Sequence, residues 1–347
     1  MITTQIMKNR KIVCIFLIAL IIVFFFANLI YGSVNIPLSQ VVDVLLGKEI
    51  ERTAWSNIIL QSRLPQAITA LLAGAALAVC GLMLQTLFQN PLAGPSILGI
   101  SDGANLGVAL VMLYFGGSLD NYTWWAPGGS LSVIIAAFVG ALTVLSIIVY
   151  FSTKVKSNVL ILIIGIMIGY LASSAISILN SIAPAENLRS FVMWGMGNFS
   201  GVSLNQLPVF GVIIVLGLIF SILLIKPLNL LLLGTRYAAN LGVNINRTRI
   251  KIFLCTGLLT AIVTAFCGPV SFIGLAVPHI ARLVLGTSNQ TFLLPATLLT
   301  GSVVALLCNL MTILPFGHGL LPLNAVTPLL GAPVIIYVIV SRKNTGV

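Results

Sequence analysis

The chain has 347 residues, of which 59% are hydrophobic and only 7% are charged. A soluble domain carries roughly 25% charged residues, so this composition excludes a protein whose whole surface faces water. The formal net charge of +11 would suggest a nucleic-acid partner in a soluble protein. No basic face with interleaved aromatic residues is visible, and nucleic acid is therefore not an expected partner.

Apolar stretches separated by Gly, Pro, Asn and charged residues predict an all-α, polytopic membrane protein with a single transmembrane domain over 1–347. A spanning helix needs about 20 predominantly apolar residues. The first stretch is interpreted as a retained span rather than a signal peptide, because no clear cleavage site follows it. About ten spans are predicted on these rules, near 12–31, 64–86, 97–115, 129–151, 159–180, 205–225, 250–267, 273–285, 291–313 and 322–341.

The distribution of Lys and Arg predicts the orientation of these spans. With the N-terminus inside, 13 of the 17 basic residues fall on the inner side, and the outer side holds Lys48, Arg52, Arg63 and Arg189. Basic residues gather in cytoplasmic loops, so both termini are expected in the cytoplasm. Five of the six acidic residues fall outside, which agrees: Asp43, Glu49, Glu51, Asp120 and Glu186.

A faint internal repeat relates the two halves, about 64–180 and 250–341. The predicted second span crosses inward and the seventh crosses outward, so the repeat would be inverted, as in many transporters. Chance identity between apolar residues is the alternative. A shift of 187 residues places Leu71, Cys80, Gly81 and Pro91 on Leu258, Cys267, Gly268 and Pro278.

Three local patterns leave alternatives open. The small-residue stretch Gly94–Gly107 is either a break beside a translocation path or an ordinary inner loop. Gly165 and Gly169 form a GxxxG pattern, for which helix packing is expected and self-association is a refinement. The eighth span is short and opens after Gly268 and Pro269, which predicts a tilted or partial crossing.

The longest inner polar segment runs from Asn229 to Lys251. Asn229 is expected to begin a helix and Gly242 to end it. Leucines on a short cytoplasmic helix need a surface to pack against. That surface is either a cytosolic subunit or, alternatively, the protein's own spans or the lipid interface. The apolar residues at helical spacing are Leu232, Leu233, Tyr237, Ala238 and Leu241.

The residues expected of an enzyme or of a metal site are missing from the sequence, so neither catalysis nor a cofactor is predicted. No GxxxxGK[ST] phosphate loop occurs, and His279 and His318 lack ligand spacing. The five cysteines lie in apolar runs and are interpreted as small hydrophobic residues. Asp102 is the one carboxylate inside the apolar body, where a helix-capping role is favoured over a proton or cation site.

Six segments, in order along nearly the whole chain, resemble the permease family of type II ABC importers for iron-siderophores, haem and cobalamin. The combination is far more specific than any one segment. The segments are Arg63-Leu64-Pro65, Leu71–Ala104, Trp194-Gly195-Met196-Gly197, Leu228–Val243, Gly268–Gly286 and Leu329–Val334.

The resemblance implies a ten-span subunit of a homodimer in the bacterial cytoplasmic membrane, in contact with membrane lipid. Two cytosolic ATPase subunits would lie below it, and a periplasmic or lipid-anchored substrate-binding protein would dock above it. The implied inner gate contains Asn90, Leu92, Ser157 and Asn158. The implied ATPase-coupling residues are Leu233, Gly234, Ala238, Ala239, Leu241 and Gly242.

The outer mouth departs from the family pattern. Gln66 and Ile313 stand where the family often has arginine, and Asn309 stands where an aspartate is common in the ninth span. Of the family's outer arginine positions, Arg63 is therefore the one that keeps its charge for docking the binding protein, and docking is expected to depend less on charge.

The expected function is inward transport of a metal chelate or tetrapyrrole, driven by ATP hydrolysed on a partner. Iron chelate is the first choice of cargo because such permeases are abundant in the family. A secondary transporter would need more intramembrane carboxylates than Asp102, and an intramembrane enzyme would need a catalytic set within the spans. A structural scaffold has no positive feature in its favour.

Overall fold

A computed structural model describes residues 2–32, 34–48, 53–115, 130–155, 157–313 and 321–344. Across these ranges the regular secondary structure is helical, which confirms the all-α prediction. Several residues used in the sequence analysis lie outside them and are not described: Glu49, Glu51, Arg52, Asp120, Lys156 and His318.

The described part contains long helices joined by short ones. A π-helical turn, Ile58–Arg63, precedes α4, and a second, Leu110–Tyr114, follows α5. A 3₁₀ turn, Pro95–Leu98, lies between α4 and α5. The α-helices are α1 (Ile2–Ile30), α2 (Leu38–Leu45), α3 (Thr53–Asn57), α4 (Leu64–Phe88), α5 (Ile100–Ala109), α6 (Ser130–Lys154), α7 (Asn158–Ile182), α8 (Ala185–Gly195), α9 (Leu207–Leu223), α10 (Ile225–Leu231), α11 (Thr235–Asn240), α12 (Ile245–Cys267), α13 (Ile273–Leu285), α14 (Gln290–Ile313) and α15 (Leu323–Asn344).

These helices include enough apolar length for several membrane crossings. Among the described residues six helices qualify by length and composition, and α9 with α10 adds a seventh that is bent by 52°. Three shorter apolar helices are Ile100–Tyr114, Ile273–Leu285 and Leu323–Tyr337. The polytopic prediction is confirmed, whereas the count of ten crossings, their orientation and the inverted repeat stay predictions.

Helix α4 lies at the centre of the bundle, and its small residues explain why. A methyl group built on Gly74 would overlap the carbonyl of Gly301 in α14, and one on Gly81 would overlap the carbonyl of Gly274 in α13. Two helix backbones therefore touch at each glycine, as is typical of helix packing in membranes. Helix α4 also packs against α12 and α9.

The GxxxG pattern of α7 serves the same purpose within the chain. The backbone of Leu98 lies against Gly165, and the Asp102 carboxylate lies against Gly169. This is intrachain packing of α7 on the start of α5, as expected. The capping role expected for Asp102 is wrong, because Gly99 is the N-cap residue of α5 and no side chain forms a cap hydrogen bond there. Asp102 lies in the first turn, where the helix dipole favours a carboxylate.

Candidate functional site

The first predicted gate segment begins where α4 ends. Gln89 adopts a left-handed conformation with φ 49°, which turns the chain out of the helix. The side-chain oxygen of Asn90 then accepts a hydrogen bond of 2.9 Å from the backbone N–H of Leu92. On the far side, His279 Nε2 lies 2.8 Å from the Pro91 carbonyl oxygen. The turn is thus held on both sides, while Leu92 remains 43% exposed.

The second predicted gate segment begins α7. Ser157 is exposed and is the N-cap residue, since its hydroxyl accepts the N–H of Leu160. Asn158 is half-buried, and its Nδ2 donates a 2.8 Å hydrogen bond to the Leu87 carbonyl in the last turn of α4. The structure therefore brings Asn158 against the helix end that leads into Asn90. Their role as a gate stays a prediction.

Arg249 is a residue that the sequence analysis missed. It was counted only as an inner positive charge, yet its side chain is 2% exposed. Its Nη2 donates 2.8 Å hydrogen bonds to the carbonyl of Ser152 and to Oδ1 of Asn246, and its Nη1 lies 3.4 Å from Oδ1 of Asn158. One guanidinium thus joins α6, α7 and α12 beside the predicted gate. No sequence pattern separates it from the exposed Arg247.

The single inner helix predicted from Asn229 to Gly242 is wrong, because the segment contains two short helices, α10 and α11. Asn229 lies inside α10, and Gly234, with φ 99°, separates α10 from α11. The Asn229 side chain does form a cap, but at another helix: its oxygen accepts the N–H of Gln290 at the start of α14, at 2.8 Å. Gly242, with φ 88°, follows the end of α11 as expected.

The predicted coupling residues divide into exposed and buried groups. Leu233 and Leu241 are each 59% exposed, and Tyr237 between them is 69% exposed. Ala239 and Gly242 are exposed as well. Ala238 is fully buried, and Gly234 is half-buried. Leu232, Leu233, Tyr237 and Leu241 are called the coupling surface below.

A polar cavity of about 220 Å³ lies between this segment and the end of α4, beside the place where the two are in contact. Arg282 enters it from α13 and donates a 2.8 Å hydrogen bond to Oε1 of Gln85. The cavity lining comprises Gln85, Thr86, Gln89, Asn90, Pro91, Leu232, Arg282 and Ser288. Among the described residues no cluster of His, Cys, Asp and Glu has the composition of a metal site.

The structure corrects the expectation for Arg63. Its side chain is 6% exposed rather than presented at the outer mouth. The guanidinium donates to the carbonyls of Leu29 and Ile30, at 2.7 and 2.8 Å, and to that of Val34. A cation with three carbonyl partners at the end of α1 fastens that helix to α4. The docking role predicted for Arg63 is therefore not carried forward.

Two of the other departures at the predicted outer mouth, Gln66 and Asn309, contact each other. Gln66 Nε2 donates to Oδ1 of Asn309 at 3.0 Å, and Asn309 Nδ2 donates to Oδ1 of Asn28 at 2.7 Å. Asn28 Nδ2 in turn reaches the Leu306 carbonyl at 3.0 Å. Gln66 and Asn309, noted separately in the sequence, are thus members of one amide network that joins α1, α4 and α14. Ile313 is half-buried at the end of α14.

Comparison with known proteins identifies the family. Residues 20–341 match the FecCD transport family. The vitamin B12 import system permease protein BtuC of Klebsiella pneumoniae is 35% identical over 83% of this chain and 84% of its own length. That of Escherichia coli strain HS is 34% identical over 82% of this chain and 84% of its own length.

A solved structure is similar throughout. It is described as an inward-facing conformation of a putative metal-chelate type ABC transporter. The TM-score is 0.82 at 29% identity, covering 95% of this chain and 99% of that one. Together with the end of α4, the start of α7 and the coupling surface, these matches establish that the chain belongs to the FecCD transport family, as a membrane-spanning permease subunit of an ABC importer.

Proposed function

We propose that this permease works as a homodimer that carries a metal chelate inward through the cytoplasmic membrane, with the coupling surface seated on a cytosolic ATPase. The observation that carries the proposal is the exposure of that surface. Three large side chains project from a short segment between two apolar helices, and each is at least 59% exposed: Leu233, Tyr237 and Leu241. Large apolar side chains grouped in this way indicate a contact with another protein.

The exposed face of α7 supports the homodimer. Four serines on this helix are exposed: Ser173, Ser174, Ser177 and Ser181. The Ser177 and Ser181 hydroxyls donate to the Ser173 and Ile178 carbonyls of their own helix. Each hydroxyl oxygen can still accept a hydrogen bond, which a second copy or a water-filled path can supply and lipid cannot. A path formed between two copies of α7 places these serines beside the cargo, where they make weak, reversible contacts. Affinity would come from the binding protein.

Metal chelate is the proposed class of cargo. The named relatives import vitamin B12, which is a cobalt chelate, and the similar solved structure is described as a metal-chelate type transporter. The sequence-level preference for an iron chelate rested on family abundance alone. Cobalamin, haem and ferric siderophores are therefore tested side by side, with each cognate binding protein, for stimulation of ATP hydrolysis in the reconstituted complex.

The ATPase contact is tested by Leu241→Asp. Placing a carboxylate on the coupling surface should abolish transport and remove most of the ATPase that copurifies with the permease, because the charge would lose its water at the interface. Leu46→Asp is the matched control, since Leu46 is an equally accessible leucine, 66% exposed, after α2. Equal ATPase recovery from both variants would refute the assignment.

A further inference from the structure

Gln89 is the residue at which the predicted gate and the coupling surface meet. It follows the last residue of α4 and precedes Asn90. Its φ of 49° is uncommon for a residue with a side chain. This conformation turns the main chain away from the axis of α4 and into the Asn90–Leu92 turn. The backbone of Gln89 thus sets where the gate turn lies.

The side chain of Gln89 contacts the segment that carries the coupling surface. Its Nε2 donates a 3.0 Å hydrogen bond to the carbonyl of Leu231, the last residue of α10. The same nitrogen is the nearest atom to the site of a Cβ on Gly234, at 3.9 Å. Leu231 and Gly234 bracket the first two leucines of the coupling surface. One residue therefore contacts the coupling segment with its amide and begins the gate turn with its backbone.

The surroundings of this contact are anchored on both sides. Helix α10 is held at its buried residues Leu228 and Leu231 and through the Asn229 cap on α14. The gate turn is held by His279 at Pro91. Between them lies the polar cavity of about 220 Å³, which Gln89 and Asn90 help to line. The side-chain amide of Gln89 thus connects the gate turn to α10 along the edge of this cavity.

We propose that Gln89 is a positioning residue that transmits movement of the coupling surface to the gate turn. The inference rests on the proposed function. When the ATPase displaces α10 and α11, the hydrogen bond to Leu231 carries Gln89, and with it the Asn90–Leu92 turn. A transmission element must differ in energy between the two states of the transporter. Loss of the Gln89–Leu231 hydrogen bond should leave the coupling surface and the gate turn intact, but movement of the first should no longer move the second.

The test separates the hydrogen bond from the backbone conformation. Gln89→Asn keeps an amide and tolerates the left-handed conformation, but it is one methylene shorter and does not reach Leu231. Gln89→Gly permits the conformation and has no side chain. Gln61→Asn makes the same chemical change at an exposed glutamine at the other end of the bundle and is the matched control.

The readout needs no cargo. Leu92→Cys, in a Cys14→Ser background, reports the gate turn by its rate of labelling with a membrane-impermeant maleimide, because the other four cysteines are buried. Labelling is measured on the permease–ATPase complex without nucleotide and with ATP and vanadate. In the parent chain, which keeps Gln89, and in the Gln61→Asn control, the labelling rates with and without nucleotide should differ. In both Gln89 variants their ratio should fall to near one, while the ATPase still copurifies and still hydrolyses ATP.

Two results would overturn the relay. An unchanged ratio in both Gln89 variants would show that movement reaches the gate by another route. Loss of ATPase binding in Gln89→Asn would show that the bond shapes the coupling surface instead of transmitting from it. Failure of the parent chain to bind any ATPase is a distinct outcome, which rejects the proposed function itself and the relay with it.

Discussion

Helices α4 and α7 have the same length, 25 residues, and are both strongly apolar, yet they occupy opposite environments. Twenty of the 25 residues of α4 are buried inside the chain, against four of the 25 in α7. Helix α4 is lined with Ala and Gly, which let backbones meet, whereas α7 directs Ile, Leu and Ser outward. Hydropathy identifies a membrane helix, and the pattern of small residues decides whether the chain surrounds it.

The largest loss of folded protein is expected from a substitution where α4 contacts α13. Gly81→Leu would place a side chain against the Gly274 carbonyl, and a helix backbone does not yield as a flexible side chain does. Folded protein should be lost from size-exclusion profiles in detergent. Ser174→Leu on the exposed face of α7 also adds an apolar side chain and should leave the amount of folded protein unchanged. Equal losses from the two variants would remove the distinction between the helices.

An intermediate effect is expected where α6, α7 and α12 are tied together. Arg249→Gln leaves the Ser152 carbonyl and the two asparagines without their charged donor. Hydrogen bonds to charged groups contribute about 1.5–3 kcal/mol each, so the thermal midpoint should fall clearly. Arg247→Gln, two residues away and exposed, should stay within about 0.5 kcal/mol of the parent. A smaller shift for Arg249 than for Arg247 would contradict the structure.

The smallest effect on stability is expected on the exposed face of α7. Ser177→Cys in the Cys14→Ser background should leave the thermal midpoint unchanged, because the serine is exposed in the single chain. Oxidation should nevertheless crosslink two copies if α7 faces α7 across the path. Val212→Cys on α9, 58% exposed, is the control for a lipid-facing position. Crosslinking at Val212 but not at Ser177 would place the dimer interface elsewhere.

Sequence patterns predicted the membrane helices well and the polar contacts poorly. Helix α13 has the predicted bounds, 273–285, and Gly286 ends it as the sequence suggests. Gly268 ends α12 instead, and α13 begins after Phe272, whose φ of 66° no sequence pattern indicates. The family motifs located the turn after α4 and the segment around α11. The single helix predicted between Asn229 and Gly242 was wrong because Gly234 adopts a positive φ that only the folded chain reveals.

Charged residues show most clearly where the sequence falls short. Arg63 and Arg249 were counted as surface charges, but backbone carbonyls and asparagine oxygens surround both guanidinium groups. Apart from Asn246, three residues before Arg249, those acceptors are backbone carbonyls or belong to residues far away in the chain. Hydropathy and charge asymmetry therefore predict a side of the membrane for these residues but give no information on their exposure.

The amide network that joins α1, α4 and α14 has a consequence for the response of the protein to pH. Asn28, Gln66 and Asn309 hold α1, α4 and α14 together without a proton that can be gained or lost in water. An aspartate–arginine pair at the same two positions would weaken as acid protonates the carboxylate. Because none of these three side chains titrates, the junction keeps its strength when the medium on its side of the membrane acidifies.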